Sequence, residues 1–318
     1  MLTFILRRLL VNLPILFGIT LIVFFVASKM PGDAVLAMIS TDTPQAEDLI
    51  RLRRGQLGLD LPLYVQYWRW LGQLLQGHLG YSFQTGEPVL DILWARIPAT
   101  IELMGAALLL AIVLGVVMGV VSALKQYSTT DYTFTFLGFT GISIPDFFLG
   151  MVLVYLFAIR WPLFPTSGMT TAGEPFALAD NLRHLVLPAL ALGLVRTATF
   201  MRYTRNSVLE VMNNDYVRTA RAKGLGEWLV VTRHILRNAL VPVVTVIGLT
   251  LPVLFGGSVV IEMIFQWPGI GLMFISAVTG RDSPVIMGYV LFSAVMVQLC
   301  NLLTDIAYSF LDPRIRYD

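Results

Sequence analysis

Charge is scarce in this chain. Of its 318 residues, 13% are Asp, Glu, Lys or Arg, about half the roughly 25% usual in a soluble globular protein. With 56% hydrophobic residues and a mean hydropathy of +0.75, the main solvent of this chain is a lipid bilayer. Cysteine is almost absent: Cys300 stands alone inside a hydrophobic segment, which excludes an intramolecular disulfide. Lysine is nearly as rare. Lys29, Lys125 and Lys223 are the only three, none has the glycine spacing of a G-x-x-x-x-G-K-[ST] phosphate loop, and the chain is therefore not its own ATPase by that motif. His78, His184 and His234 stand far apart, with no H-E-x-x-H pair and no partnering cysteines, so they read as structural residues and not as zinc ligands. There is no G-x-S-x-G nucleophile elbow and no obvious internal repeat. A net charge of +2 excludes a global nucleic-acid binder.

What is present in quantity is apolar sequence in span-length blocks. Arg7 and Arg8 precede an uninterrupted apolar run over 9–27, long enough to cross a membrane and without a small-x-small cleavage site before Lys29. It is expected to remain as a first transmembrane helix. Five more hydrophobic segments follow, at about 103–124, 132–159, 185–200, 240–261 and 285–303. Six spans put both termini on one side. The basic residues choose the side: twelve Lys or Arg fall in the proposed inner segments (Arg7, Arg8, Lys125, Arg202, Arg205, Arg218, Arg221, Lys223, Arg233, Arg237, Arg314, Arg316), against three in the two short outer loops (Arg160, Arg183, Arg281). Both termini are therefore expected in the cytoplasm. The resulting division is 1–28 for the tail and first span, 29–96 for an extracytoplasmic helical insertion, 97–308 for a five-helix core with a cytoplasmic loop at 202–239, and 309–318 for a cytoplasmic tail.

The insertion reads as helical pieces. The charged stretch 47–56 is followed by Pro62 as the N1 proline of an amphipathic run, LYVQYWRWLGQLL, then by glycines at 77 and 80 and a last short helix near 88–94. Tyr64, Tyr67, Trp68 and Trp70 are expected to anchor a helix at the interface or to pack a small domain, in preference to lining a ligand site. Several spans are not plain rods. Residues 132–159 would measure roughly 42 Å as one straight helix, against a hydrocarbon core of about 30 Å, and Gly141, Pro145 and Asp146 supply a break near the middle. An intramembrane carboxylate must face protein or a water-filled cavity, so Asp146 either lines a transport pathway or caps the second half of its own span. Pro242, Pro252, Gly256 and Gly257 are expected to interrupt the fifth span and to give it the deformability of a gate. Beyond it, FQWPGIG reads as a turn anchored by Trp267 at the outer surface, with Glu262 and Asp282 as solvated outer-loop acids. Asp305 lies just past the last span, placed either to pair with a basic inner residue or to act in transport.

Between the fourth and fifth spans lies a polar, basic island over 215–242, DYVRTARAKGLGEWLVVTRHILRNALVP. Asn213, Asn214 and Asp215 offer N-cap side chains for a helix from about Tyr216, Gly224 suits the C′ position that ends it, and a second helical run starts near Glu227. From composition alone the island is equally a loop made basic by topology.

The island resembles the cytoplasmic coupling loop of ABC importer permeases, with the pattern E-A-A, three residues, Gly, nine residues, I-x-L-P. Aligned on Gly224, this chain has Arg218-Thr219-Ala220 and His234-Ile235-Leu236-Arg237 at those places. Its form, TARAKG followed by RHxLRNAxxP, is similar to the oligopeptide, dipeptide and nickel branch of the family. Pro31-Gly32-Asp33, Ser143-Ile144-Pro145-Asp146-Phe147, Phe265-Gln266-Trp267-Pro268-Gly269-Ile270-Gly271 and Asp312-Pro313-Arg314-Ile315-Arg316 extend the resemblance along most of the chain.

The resemblance implies an all-α membrane protein of six transmembrane helices with the ABC importer type I transmembrane fold, multi-pass in the bacterial plasma (inner) membrane. It implies a second homologous permease subunit, two ATP-binding subunits or domains that carry the ATP and Mg, and an extracytoplasmic solute-binding protein docking near the insertion. Nothing is expected to be bound as a cofactor by this chain. Di- or oligopeptides are the implied cargo, with nickel chelates or oligosaccharides carried by similar permeases. The ATPase-coupling residues would be Asp215, Tyr216, Arg218, Thr219, Ala220, Arg221, Lys223 and Gly224; the pathway would involve Pro145, Asp146, Gly256 and Gly257; and Trp267, Pro268 and Gly269 would form an outer loop. His78 stands where relatives often carry an acid. Two rivals remain: an ion-driven secondary transporter with Asp146 as its proton or sodium site, and a structural subunit with no cavity between its spans.

Overall fold

The computed structural model describes residues 2–29, 52, 55 and 60–311. Pro31-Gly32-Asp33, most of the charged stretch 47–56 and Asp312-Pro313-Arg314-Ile315-Arg316 lie outside the described residues. Among those described the chain is helical, with a single isolated β-bridge between Tyr81 and Pro88. In chain order the helices are α1 Leu2–Lys29, α2 Leu63–Leu75, α3 Val89–Leu124, α4 Thr129–Ser143 and α5 Asp146–Val154, the last continued by a π turn at Tyr155–Arg160. Then come α6 Leu178–Met212, α7 Asp215–Ala222, α8 Glu227–Ala239 with a π turn at Val230–Ile235, α9 Val241–Ile264, α10 Ile270–Thr279 and α11 Ser283–Leu311. Four helices, α1, α3, α6 and α11, contain stretches long and apolar enough to span. Two bent pairs, α4 with α5 at 102° and α8 with α9 at 46°, bring the number to six if each pair is one crossing, the number read from hydropathy.

The chain divides into two compact units, Met1–Pro98 with Gly269–Leu299, and Ala99–Pro268 with Cys300–Asp318. In the first, α2 packs on α1 through Tyr67, whose hydroxyl lies 2.9 Å from Thr20 Oγ1 and whose ring meets Phe17 and Phe24 edge-on. Trp70 joins it against Phe24, whereas Tyr64 and Trp68 stay exposed, so the aromatic belt is split between packing and surface. Pro62 is one place earlier than expected. Its ψ of 142° is not helical, which makes it the N-cap of α2 and not its first helical residue. The short helix expected near 88–94 is the first turns of α3, which runs on through Pro98 without a stop.

In the second unit, α3 and α6 approach closely because both carry glycine at the contact. A Cβ on Gly115 would lie 2.5 Å from Phe200 Cβ, and one on Gly119 would lie 2.7 Å from Met201 O. This is a small-xxx-small stripe, which brings backbones together where hydrocarbon supplies no hydrophobic drive. The α4–α5 break falls at Ile144–Pro145, as the length argument requires: Pro145 has no N–H to continue the ladder, and Ile144 before it is held extended at ψ 124°.

The fifth span differs from its expectation. The bend sits at Leu240, ahead of Val241, and α9 continues unbroken through Pro252, Gly256 and Gly257. Pro252 has no N–H for the carbonyl of Gly248, four residues back, and the hydroxyl of Thr304 in α11 lies 3.1 Å from that oxygen, sharing its hydrogen with Cys300 O at 2.7 Å. A proline is tolerated mid-span when a neighbouring hydroxyl reaches the freed carbonyl.

Gly119→Leu is expected to lower the thermal midpoint in detergent, since overpacking costs about 1–3 kcal/mol. Gly105→Leu, at a position where an added Cβ has nothing within 4 Å, is expected to leave it nearly unchanged. Equal midpoints for the two variants, read by tryptophan fluorescence, would contradict close packing of α3 on α6.

Candidate functional site

The basic island folds as a compact helical unit. In α7 the apolar residues Val217 and Ala220, three apart and hence on one face, are buried. They close a cluster with Ala123 of α3, Val208 and Val211 of α6, and Val230, Val231, Ile235 and Ala239 of α8. The π turn lets Val230, Val231 and Ile235 point into this cluster together. Everything else on α7 faces outward.

Gly224 ends α7 as expected. At φ +78° it occupies the left-handed region, its N–H reaches Arg221 O at 2.9 Å, and Leu225 N reaches Ala220 O at 3.4 Å. These two bonds are the paired closures of a Schellman motif. Arg221 spans the following turn to Glu227 with two bonds, Nε to Oε2 at 3.1 Å and Nη2 to Oε1 at 2.7 Å, and the guanidinium holds the Glu227 carboxyl below its ordinary range. An exposed pair of this kind stabilises by no more than about 1 kcal/mol, but its fork geometry fixes the turn. Tyr216 OH accepts from Asn238 Nδ2 at 2.9 Å, tying α7 to α8.

The N-terminus of α7 departs from expectation. Asn214 is the N-cap but makes no side-chain bond, and Asn213 Nδ2 turns back to Leu209 O at 3.0 Å. Of the eight residues read from the sequence, Asp215, Tyr216, Arg218, Thr219, Arg221, Lys223 and Gly224 are exposed, while Ala220 is buried beneath them. Glu227 opens the second helix as expected, while Val217, Asn238 and the 81% exposed Trp228 complete the unit without a role read for them; the three-residue spacing of Val217 and Ala220 was the available signal.

Asp146 opens α5 directly after Pro145. Its Oδ2 lies 3.8 Å from Arg196 Nη2 of α6, and each side chain is about one quarter exposed. The Nε of Arg196 is buried without a hydrogen-bond partner. The capping role weighed for Asp146 is not seen: Pro145 is the N-cap, no side-chain cap bond is made, and the carboxylate in the first turn faces a cation. Gly150 of α5 packs against Ile261 of α9 and Phe265, the residue that caps α9. Gly256 and Gly257 lie within the uninterrupted part of α9.

A second carboxylate carries more contacts. Asp131, buried in the first turn of α4, accepts Arg205 Nε on Oδ1 and Nη2 on Oδ2, both at 2.9 Å, with Tyr127 N on Oδ2 at 3.0 Å and the Ser122 hydroxyl on Oδ1. Ser128 caps the same helix by accepting Asp131 N at 3.3 Å. The S-x-x-D spacing of a capping box was readable; its pairing with Arg205, 74 residues away, was not.

The outer-loop expectations need correction. Trp267 is fully buried, donating Nε1 to Ala99 O at 2.7 Å, and Gly269 is buried beside it, with Pro268 half-buried. It anchors the turn inward and does not sit at a surface. Glu262 is fully buried too and accepts from Thr100 Oγ1 at 2.9 Å. Asp282 is 2% exposed and receives Ser82 Oγ at 2.5 Å and Phe83 N at 3.1 Å, holding the 80–88 loop. Neither acid is solvated, because each is matched to donors far away in sequence. His184 is structural, as read, with Nδ1 2.9 Å from Asp180 O.

The comparisons with known proteins agree with one another. Residues 111–317 match the model of the binding-protein-dependent transport system inner membrane component, and residues 1–104 match that family's N-terminal membrane component. The chain is 43% identical to the oligopeptide transport system permease protein AppB of Bacillus subtilis, covering all of both chains. It is 40% identical to the dipeptide transport system permease protein DppB of Escherichia coli strain K12, covering 100% of this chain and 99% of the relative. Among solved structures, a chain of the inward-facing MetNI methionine ABC transporter superposes with a TM-score of 0.58 at 17% identity, over 71% of this chain and 99% of that one, a likeness of fold.

Removing one partner of a buried ion pair costs about 3–5 kcal/mol. Asp131→Ala is therefore expected to lower stability by about that amount in a denaturant titration, and Glu227→Ala by less than about 1 kcal/mol. Similar losses for the two would contradict the clamp assigned to Asp131.

Proposed function

This chain belongs to the binding-protein-dependent transport system inner membrane component family, and we propose that it builds half of the pathway of an ATP-driven peptide importer. It is a multi-pass permease subunit of an ABC importer. Its partners are a second, homologous permease, two ATP-binding subunits or domains that hold ATP and Mg, and an extracytoplasmic solute-binding protein. The names of AppB and DppB support short peptides as the cargo, and both termini lie in the cytoplasm by the distribution of basic residues.

One observation supports the coupling role above others. Helix α7 is fastened to the spans by Val217 and Ala220 while presenting Asp215, Arg218, Thr219 and Arg221 outward. A short helix so held is a handle: an ATPase gripping the polar face pulls on the cluster that contains the ends of α3 and α6. ATP closes the ATPase dimer, the two docked helices approach, and the spans turn about their cavity as rigid bodies. An ion-driven transporter gives this handle no task.

The test is co-expression with the second permease and the ATP-binding subunits, followed by hydrolysis with and without peptide-loaded binding protein. Co-purification and stimulated hydrolysis are expected. Gly224→Val forces a β-branched residue into a left-handed conformation and is expected to lower stimulated hydrolysis several-fold with membrane insertion intact. Purification of the chain alone, with solute flux driven only by an ion gradient, would contradict the proposal.

A further inference from the structure

A cavity of 240 Å³ lies between α4 and α6. Its wall is apolar, formed by Phe139, Ile142 and Met201, and its polar lining is Thr135, Arg202 and Asn206. By helix rise these α4 residues stand about 9–20 Å from its first residue, so the cavity lies at the inner end of the span, where α6 passes into the cytoplasmic segment that begins at Arg202. Gly138 keeps it open: a Cβ there would already meet Met201 Sδ at 3.3 Å. The two arginines at its edge differ in kind. Arg205 is committed to Asp131 by two hydrogen bonds. Arg202, a turn away, has no carboxylate partner among the described residues, and its guanidinium only lies 5.8 Å from the ring of Tyr203.

We infer that this cavity receives the C-terminal residue of the peptide in transit, with Arg202 taking the free carboxylate and Phe139, Ile142 and Met201 taking the side chain. The inference rests on the importer reading above. A guanidinium fork matches a carboxylate with two parallel bonds. The adjacent wall suits varied apolar side chains because methionine is unbranched and re-packs around different shapes, and Thr135 and Asn206 are polar groups of the kind that meet a peptide bond. The volume falls just below the roughly 300–1,000 Å³ of drug-sized pockets, which fits one residue with its carboxylate better than a diacyl lipid.

The experiment uses the full complex in proteoliposomes and compares uptake of Ala-Phe with its C-terminal amide, each normalised to its loading on the binding protein. Arg202→Gln is expected to slow the free acid about tenfold or more, the loss of one charge-assisted contact, and to change the amide less than about twofold. Gly138→Leu, which fills the cavity, is expected to slow Ala-Phe more than Ala-Gly; Phe136→Leu, exposed on α4 and outside the cavity, is expected to treat all three alike. Equal effects of Arg202→Gln on acid and amide overturn the site, as does an effect that follows the anionic phospholipid content of the vesicle and not the peptide terminus. Absence of peptide uptake by the wild-type complex overturns the importer reading and the site with it.

Discussion

Hydrocarbon offers no hydrogen bonds, so every backbone group in a span must be satisfied by the protein itself. The departures from plain helix in this chain are shaped by that constraint. Pro252 frees the carbonyl of Gly248, and Thr304 meets it. Trp267 buries its indole with its own N–H satisfied by Ala99 O. The break at Ile144–Pro145 is followed at once by a new helix whose Leu149 N returns to Pro145 O at 3.1 Å. At Pro252 and at Pro145, then, the deformed backbone has a partner at hand.

In the proposed importer these helices would act as a transmission. The cluster beneath α7 contains side chains from α3, α6 and α8, so motion of α7 is shared among them. Asp131 adds a second joint close by, binding Arg205 of α6 and Ser122 of α3 from the start of α4. In the proposed importer, a handle fixed to several spans would act on them as a body, as alternating access requires.

Much of this was legible in the sequence. Span-length apolar runs marked the crossings, excess length with Pro145 marked the bent one, and Gly224 marked the end of α7, because each depends on local composition. What escaped depended on distant partners. Glu262 and Asp282 look like loop acids until Thr100 and Ser82, 162 and 200 residues away, are brought to them. Trp267 beside Pro-Gly reads as an interfacial anchor, and only the carbonyl of Ala99 shows that it points inward. Pro252 reads as a break, and its rescue by Thr304 is tertiary. Asn213 and Asn214 had the right chemistry for caps, but Asn213 bonds back to Leu209 O.

The most direct measurement is site-directed cross-linking from α7 in the assembled complex. With Cys300→Ala removing the native thiol, Arg218→Cys and Ala220→Cys sit three and five residues past Asp215 on opposite faces. The account predicts that Arg218→Cys cross-links to an ATP-binding subunit with a yield that changes on adding ATP, and that Ala220→Cys does not cross-link. No cross-link from Arg218→Cys, or the same yield from both positions, would contradict a helix docked by its polar face.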